Sequence, residues 1–299
     1  MRTMIFYENR LGRNDGGPLY WMNAMRQLGW DVVHLSSEEI PNAKQYGVFD
    51  AYIWVDWGED GLTEMLPYKP ISMNSLHPSI YVTSDTHLGY DYRLNKAKEF
   101  DYVFCNQVRA VEEFARDGVK AYFLPHAVEP MAYPNYPAAI KKYDIGFVGF
   151  VTFEKRAIML DQLFKAFPNF YFGQRLFEEA AEIFRKSRIV FNTCAVDDLN
   201  MRLFEATATG SFLLTEWCPT LDLLFEDGKH LVSYKTMDEA IEKAKYYLEH
   251  ADEREAIAKA GMEHTLANHT YRHRILHAFN VIEDLKEKSW KPTEVGQSA

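Results

Sequence analysis

Within the stretch Asn192 to Glu216 stand an acid, a guanidinium and a second acid: Asp197, Arg202 and Glu205. A carboxylate aimed into a cleft accepts two hydroxyls of a ribose, and a guanidinium offers a planar fork to phosphate oxygens. Seven residues lie between Asp197 and Glu205. If both are helical, that is two turns, and the two acids line one face. Asn200 stands with Asp197 and Asp198 as a possible helix cap, and the backbone N–H groups it opens onto suit an anion. A second basic group, Lys155 and Arg156, follows the glycine turn at Gly149, and Arg175 ends a later strand. His87 follows Ser84-Asp85-Thr86, and His126 follows Leu124-Pro125. A single histidine is usually structural, so His87 is singled out only by its neighbours and its place after a strand.

These groups need elements to position them. Arg188-Ile-Val-Phe-Asn192 reads as a buried strand, the segment ending at Gly210 as a helix, and Ser211 to Thr215 as the next strand. That is a βαβ unit, and in open α/β sheets ligands bind beyond the carboxyl ends of the strands. The chain opens in the same way. Thr3 to Tyr7 is a strand, Gly12, Gly16 and Gly17 form a glycine-rich loop, and Pro18 suits the first turn of a helix over 19–28. The glycines do not make G-x-G-x-x-G, which removes the dehydrogenase fingerprint. Further strands are expected at 31–35, 50–56, 69–73, 79–85, 101–105, 143–149 and 169–173, with a turn and strand at 225–233; residues 121–128 close the first half. Helices are expected at 92–99, 108–116, 177–186, 240–250, 254–265 and from 273 to about 287. Glu129 to Ala138 holds three prolines without periodicity and reads as a linker. The domains are thus 1–128, a linker 129–141, 142–272, a helix 273–287 returning to the first domain, and a polar tail 288–299.

Bulk properties exclude several classes. At 299 residues the chain accommodates two domains with cores of their own. With 47% hydrophobic and 25% charged residues it is globular rather than disordered. No apolar run reaches the roughly 18 residues of a membrane-spanning helix, and the N-terminus lacks a signal peptide's apolar core. Three cysteines at no metal-ligand spacing argue against a disulfide framework and point to a cytoplasmic setting. A net charge of −10 disfavours broad contact with a nucleic-acid backbone.

The string from Asn200 to Glu216, Asn-Met-Arg-Leu-Phe-Glu-Ala-Thr-Ala-Thr-Gly-Ser-Phe-Leu-Leu-Thr-Glu, resembles the nucleotide-sugar signature of GT-B glycosyltransferases. The branch it is similar to is the "glycosyl transferases group 1" family, family-4-like and near the spore-maturation CgeB-like proteins. Many members of the wider group carry Glu-x7-Glu, the second Glu on the nucleoside ribose; here the pattern is Asp197-x7-Glu205. The resemblance implies an α/β fold of two Rossmann-like parallel-sheet domains facing across a cleft, the C-terminal helix crossing back. It implies that Gly149, Lys155, Arg156, Arg175, Asn200, Arg202, Glu205 and the loop at Pro219 and Thr220 hold the donor. Gly16 and Gly17 let backbone approach the donor phosphates or the acceptor. His87, with Asp85, is the catalytic candidate beside the transferred sugar, and Asp56, Trp57 and His126 belong to the acceptor side.

The expected activity is retaining transfer of a sugar from a nucleotide diphosphate sugar, UDP- or GDP-linked, to a glycan or small-molecule hydroxyl. The resemblance implies no metal or other cofactor, which fits the lack of an Asp-x-Asp motif bearing metal ligands. The alternatives are a GT-B sugar-nucleotide epimerase and a binding protein of the same fold without turnover. A hydroxymethylated DNA base as acceptor ranks lower, given the acidic balance.

Overall fold

A computed structural model of the chain describes residues 1–7, 16–56, 70–71, 73–136, 139–151, 153–194 and 198–289. The first sheet holds β1 (Arg2–Phe6), β2 (Asp31–Leu35), β3 (Ala51–Val55), β4 (Ser79–Thr83), β5 (Tyr102–Cys105) and β6 (Ala121–Phe123), in the order β2-β1-β3-β4-β5-β6. The second holds β7 (Tyr143–Val148), β8 (Phe170–Gly173), β9 (Ser187–Asn192), β10 (Leu213–Glu216) and β11 (Val232–Tyr234), in the order β11-β10-β9-β7-β8. Each paired strand runs parallel to its neighbour. Parallel sheets are covered on both faces, so their strands carry continuous apolar runs rather than alternation. Ala51-Tyr-Ile-Trp-Val55 is buried at every position for this reason.

The crossovers are α1 (Gly17–Gln27), α2 (Tyr90–Ala97) and α3 (Val108–Arg116) on the first sheet. On the second they are α4 (Glu154–Ala166), α5 (Phe177–Lys186) and α6 (Met201–Ala208), followed by α7 (Met237–Glu249), α8 (Ala251–Asn268) and α9 (Tyr271–Ser289). Apolar clusters fill both faces of each sheet. The chain crosses between the sheets at two adjacent points. Val128, leaving the first, bridges to Thr270, returning from the second, with Val128 N–H donating to His269 O at 3.0 Å and Tyr271 N–H to Val128 O at 3.1 Å. Helix α9 then buries Tyr271, Ile275, Ala278 and Ile282 in the same cluster as Ile5, Trp21, Met25 and Ile53 of the first domain.

Three local expectations are revised. Met73 to Ser75 is a 3-10 turn rather than the end of a strand at 69–73; of that stretch Lys69 and Ser72 lie outside the described residues. A long 3-10 segment, Ser37–Tyr46, carries Pro41 and was not anticipated; Glu39 accepts from the Ser36 N–H at 2.9 Å and fixes its start. Helix α6 begins only at Met201, with Asn200 as its N-cap residue, so no helix joins position 197 to Glu205. Asp197 itself is outside the described residues.

Candidate active site

Strand order reverses between β1 and β3 in the first sheet and between β7 and β9 in the second. Crevices form at such points, beyond the carboxyl ends of the strands. In the second sheet the crevice holds Gly149, Arg156, Asn192 and Arg202. Arg202 donates from Nη1 to Asn192 Oδ1 at 2.8 Å and from Nε to Val148 O, and lies 4.4 Å over the Phe147 ring. Gly149 makes room for it: with φ +155° the residue has a backbone few side chains adopt, and an added Cβ would meet Arg202 Nη2 at 2.0 Å. Burial, aided by the neighbouring Arg156 and opposed by Glu205, brings the Arg202 guanidinium down to about 10. Arg156 donates to Phe150 O at 2.7 Å, while its Nε is buried with no hydrogen-bond partner among the described residues. Burial lowers its pKa too, with Cys194 and Glu216 pulling the other way. Two desolvated guanidiniums side by side repel each other, and an anion of charge two or more relieves that repulsion.

Asn200 donates to Thr193 O at 3.1 Å and leaves its Oδ1 buried and unpartnered among the described residues. Glu205 is half-buried, and its carboxylate accepts the Tyr133 hydroxyl, whose pKa burial and Glu205 together raise. Glu205 therefore faces the tyrosines at the domain junction as well as Arg202.

Lys155 does not join the two arginines. Its ammonium sits 2.5 Å from Glu216 Oε1, and Glu216 Oε2 accepts from the Thr193 hydroxyl at 2.7 Å and the Cys194 N–H at 3.1 Å. Its charge is met by Glu216, a residue the sequence reading passed over. Arg175 also stands apart: exposed, 3.5 Å from Glu179 and bonded to Gln174 O.

Between the carboxyl ends of the two sheets lies a cleft of about 1180 Å³, lined on one side by Thr86, His87 and Gln107 and on the other by Lys155, Asp198, Pro219 and Thr220. His87 is exposed to it, its Nδ1 3.4 Å from Gln107 Nε2. Asp85 precedes it in the left-handed region, φ 49° and ψ 38°, a strained conformation that turns the chain from β4 into this loop. The loop is held by Gln107, whose Oε1 accepts from Thr86 N–H at 2.9 Å and from the Thr86 hydroxyl. Asp198 is hydrogen-bonded by Leu199 N–H at 2.7 Å and by the Gln107 side chain from the opposite domain. Burial nevertheless raises its carboxyl to about 7, those two bonds opposing and Asp85 adding to the rise.

At the carboxyl ends of the first sheet's strands a small cavity of about 30 Å³ is bordered by Gly17, Asp56, Ser84, Asn106, His126 and Arg274. Gly16, φ 131°, caps α1, whose first residue Gly17 borders this cavity. The His126 ring accepts from Asn106 Nδ2 at 2.6 Å. Burial, opposed by Asp85 and helped by Arg274, pushes its pKa down to about 4, so the ring is neutral near pH 7. Arg274 from α9 donates to Pro125 O at 2.9 Å and His126 O at 3.0 Å, fixing this loop from the other end of the chain.

Asp56 is corrected. Its carboxylate is fully engaged, by Lys96 Nζ at 2.6 Å, Trp54 Nε1 at 2.9 Å, Thr83 Oγ1 at 3.3 Å and the Tyr81 hydroxyl, with Arg93 4.0 Å away. Burial opposes its ionisation, but Lys96 and Arg93 outweigh that and hold the carboxyl below its ordinary range. No oxygen is left to hold an acceptor; Asp56 pins the strand ends beneath the cleft. Trp57 lies outside the described residues. Among the described residues no group of three or more His, Cys, Asp or Glu is placed to hold a metal, and no helix is long and apolar enough to cross a membrane.

Similarity to known proteins converges on the same reading. No curated protein matches the chain in sequence. Among solved structures, Anabaena HepE aligns over 96% of this chain and 100% of its own, with a TM-score of 0.67 at 11% identity. Sucrose-phosphate synthase of Thermosynechococcus elongatus aligns over 96% and 99%, with a TM-score of 0.63 at 11% identity. Staphylococcus aureus TarM aligns over 80% of this chain and 58% of its own, with a TM-score of 0.54 at 11% identity. At such identities the likeness is one of fold. Residues 138–280, from the linker to α9, match the family model described as glycosyl transferase-like. Over these residues the chain resembles the glycosyl transferase-like family, and its two parallel sheets share the GT-B fold of these solved structures.

Proposed function

We propose that the protein transfers a sugar from a nucleotide diphosphate sugar, UDP-linked, to a hydroxyl of a glycan or small-molecule acceptor, with retention at the anomeric carbon. The observation that carries the reading is the Arg156–Arg202 pair at the reversal point of the second sheet. It supplies concentrated positive charge where a diphosphate would lie, and Arg156 Nε has a donor to spare. Anabaena HepE, which shares the fold, is seen with UDP and glucose and with UDP-glucose, and TarM with UDP, fondaparinux and α-GlcNAc-glycerol.

In this reading Arg156 and Arg202 bind the diphosphate and stabilise the charge that grows on it as the glycosidic bond to C1 breaks, an electrostatic contribution of several kcal/mol. Gly149 keeps the backbone clear of that charge. Glu205 takes the ribose hydroxyls, exchanging part of its contact with Tyr133. Asn200, Pro219 and Thr220 border the diphosphate and sugar, and His87 and Asp85 face the sugar from the first domain. The acceptor oxygen approaches C1 on the side the phosphate leaves, and the leaving phosphate oxygen takes the acceptor proton, so no protein base is required. No cofactor enters the step.

Calorimetry with UDP, GDP and their glucose conjugates tests the donor. Binding that is tightest for a UDP species and lost in Arg156→Ala supports the assignment, and indifference to the diphosphate sinks it. The anomeric configuration of the product, read by the proton coupling at C1, tests retention.

A further inference from the structure

The face of the second domain remote from the cleft, where strands β7 and β9 begin, carries a dense group of cations on a chain whose net charge is −10. Most are paired. Arg188 bonds Asp144, Lys186 bonds Glu182, Arg254 lies 3.3 Å from Glu255, and Lys259 lies 3.9 Å from Glu263. Lys141 and Arg185 are not: among the described residues neither has a carboxylate within ion-pair distance. Lys141 donates to Ser187 O at 3.1 Å, and Arg185 to Pro134 O at 2.5 Å. Arg185 is 8% exposed. Glu255 toward Lys141, and Glu182 and Glu178 toward Arg185, act only from beyond that distance. Burial lowers the pKa of both cations, so their charge is held at a cost.

Both line one cavity of about 190 Å³ with Asn135, Tyr136, Thr209, Lys259 and Glu255, the last engaged by Arg254. The Tyr136 ring lies 5.1 Å from the Arg185 guanidinium and leaves half its surface exposed. A partly buried cation with only carbonyl acceptors is stabilised by an anion that enters beside it, and a guanidinium with a second cation forms a fork and a point charge suited to a phosphate. We propose that this cavity, framed by Lys141, Arg185 and Lys259 at the linker between the domains, is a second binding site, for a phosphate monoester small enough to fit it. It is separate from the donor crevice, since Arg156 and Arg202 stand at the opposite ends of the same strands. The ligand bridges the linker (Asn135, Tyr136, Lys141) to α5 and α8, where it would influence how the two domains move against each other.

The test is titration calorimetry on the whole protein saturated with UDP, using inorganic phosphate in one arm and glucose 6-phosphate in the other. Saturable binding in the presence of UDP is expected. Lys141→Gln should weaken it about tenfold, the usual loss for one charge-assisted hydrogen bond, with UDP affinity unchanged. Equal affinity in both arms assigns the site to the phosphate group alone, and a preference for glucose 6-phosphate assigns it to the ester; either outcome supports the site. Displacement of phosphate by UDP, no binding in either arm, or an unaltered affinity in Lys141→Gln overturns it. Arg185→Gln is the second variant, with Lys259→Gln in its place if loss of the Pro134 contact unfolds it. None of these results bears on the donor crevice, whose test is loss of UDP binding in Arg156→Ala.

Discussion

Gln107 at the end of β5 and Asp198 beyond β9 are joined side chain to side chain across the cleft, a hydrogen bond between the two domains. The same amide group of Gln107 holds Thr86 and touches His87, so one residue links the loop after β4 to the second domain. Gln107→Leu removes a bond that favours the ionised form of Asp198, so the titration of that carboxyl should move above about 7. Carboxyl carbon NMR across pH 5 to 9 reads the shift. An unmoved midpoint would mean that the two side chains do not meet in solution.

Gly149→Ala should be costly twice over. The new methyl would lie 2.0 Å from Arg202 Nη2 and the backbone would be strained at φ +155°. Strain of this kind is worth about 1–3 kcal/mol, and the displaced guanidinium would leave the position proposed for diphosphate binding. Chemical denaturation should show the loss of stability and calorimetry a loss of UDP affinity; intact UDP binding would show that Arg202 has room to move.

Arg156→Ala should weaken UDP far more than uridine, since only UDP presents the diphosphate charge. Arg202→Lys should fail to restore what Arg202→Ala loses, because an ammonium cannot reach Val148 O and Asn192 Oδ1 together as the fork does. Equal losses for UDP and uridine would reassign both arginines to structure.

Stability should climb as pH rises from about 4 to about 6.5. His126 and His269 are pushed down to about 4 and about 3, burial being the chief cause in each. In that window the unfolded chain protonates both near about 6.5 and the native state neither. Asp198, raised to about 7, works the other way: its stabilising share is present below the ordinary carboxylate range and lost as pH rises through about 7. Two protons against one leave a net slope of about 1.4 kcal/mol per pH unit from these three groups. Urea titrations at pH 4.5 and 6.0 measure it, and His269→Asn should nearly flatten it.

Lys96→Met should destabilise the first domain by about 3–5 kcal/mol, because it strips the nearest cation from the buried Asp56 carboxylate. Adding Asp56→Asn should recover much of that, and two simply additive losses would show the pair is not coupled.

The alternation of apolar runs with helical segments made both parallel sheets legible, and Ala51 to Val55 shows why: full burial on two faces leaves a pure signature. The glycine turn after β7 was also legible, at Gly149. What was hidden depends on register and on long separations. Thr193 meets Glu216 only because β10 pairs with β9, Thr215 beside Asn192. Asp56 looked like a ligand at a strand end, but Lys96, forty residues on in α2, folds over it. Lys155 and Arg156 are neighbours in sequence, yet one turns to Glu216 and the other toward Phe150, which adjacency alone does not decide.

Helix α9 has a consequence for the order in which the protein is made. Ile275, Ala278 and Ile282 complete the apolar cluster under α1, and Arg274 ties down the carbonyls of Pro125 and His126. The first domain is the first to leave the ribosome, but its core lacks one wall until residues 271–289 emerge. Until then Trp21 and Met25 stay partly uncovered, so the first half must wait, sticky and unfinished, for the second to be translated. A nascent chain arrested before residue 271 should therefore recruit chaperones to its N-terminal half, even though every strand of that half has already been synthesised.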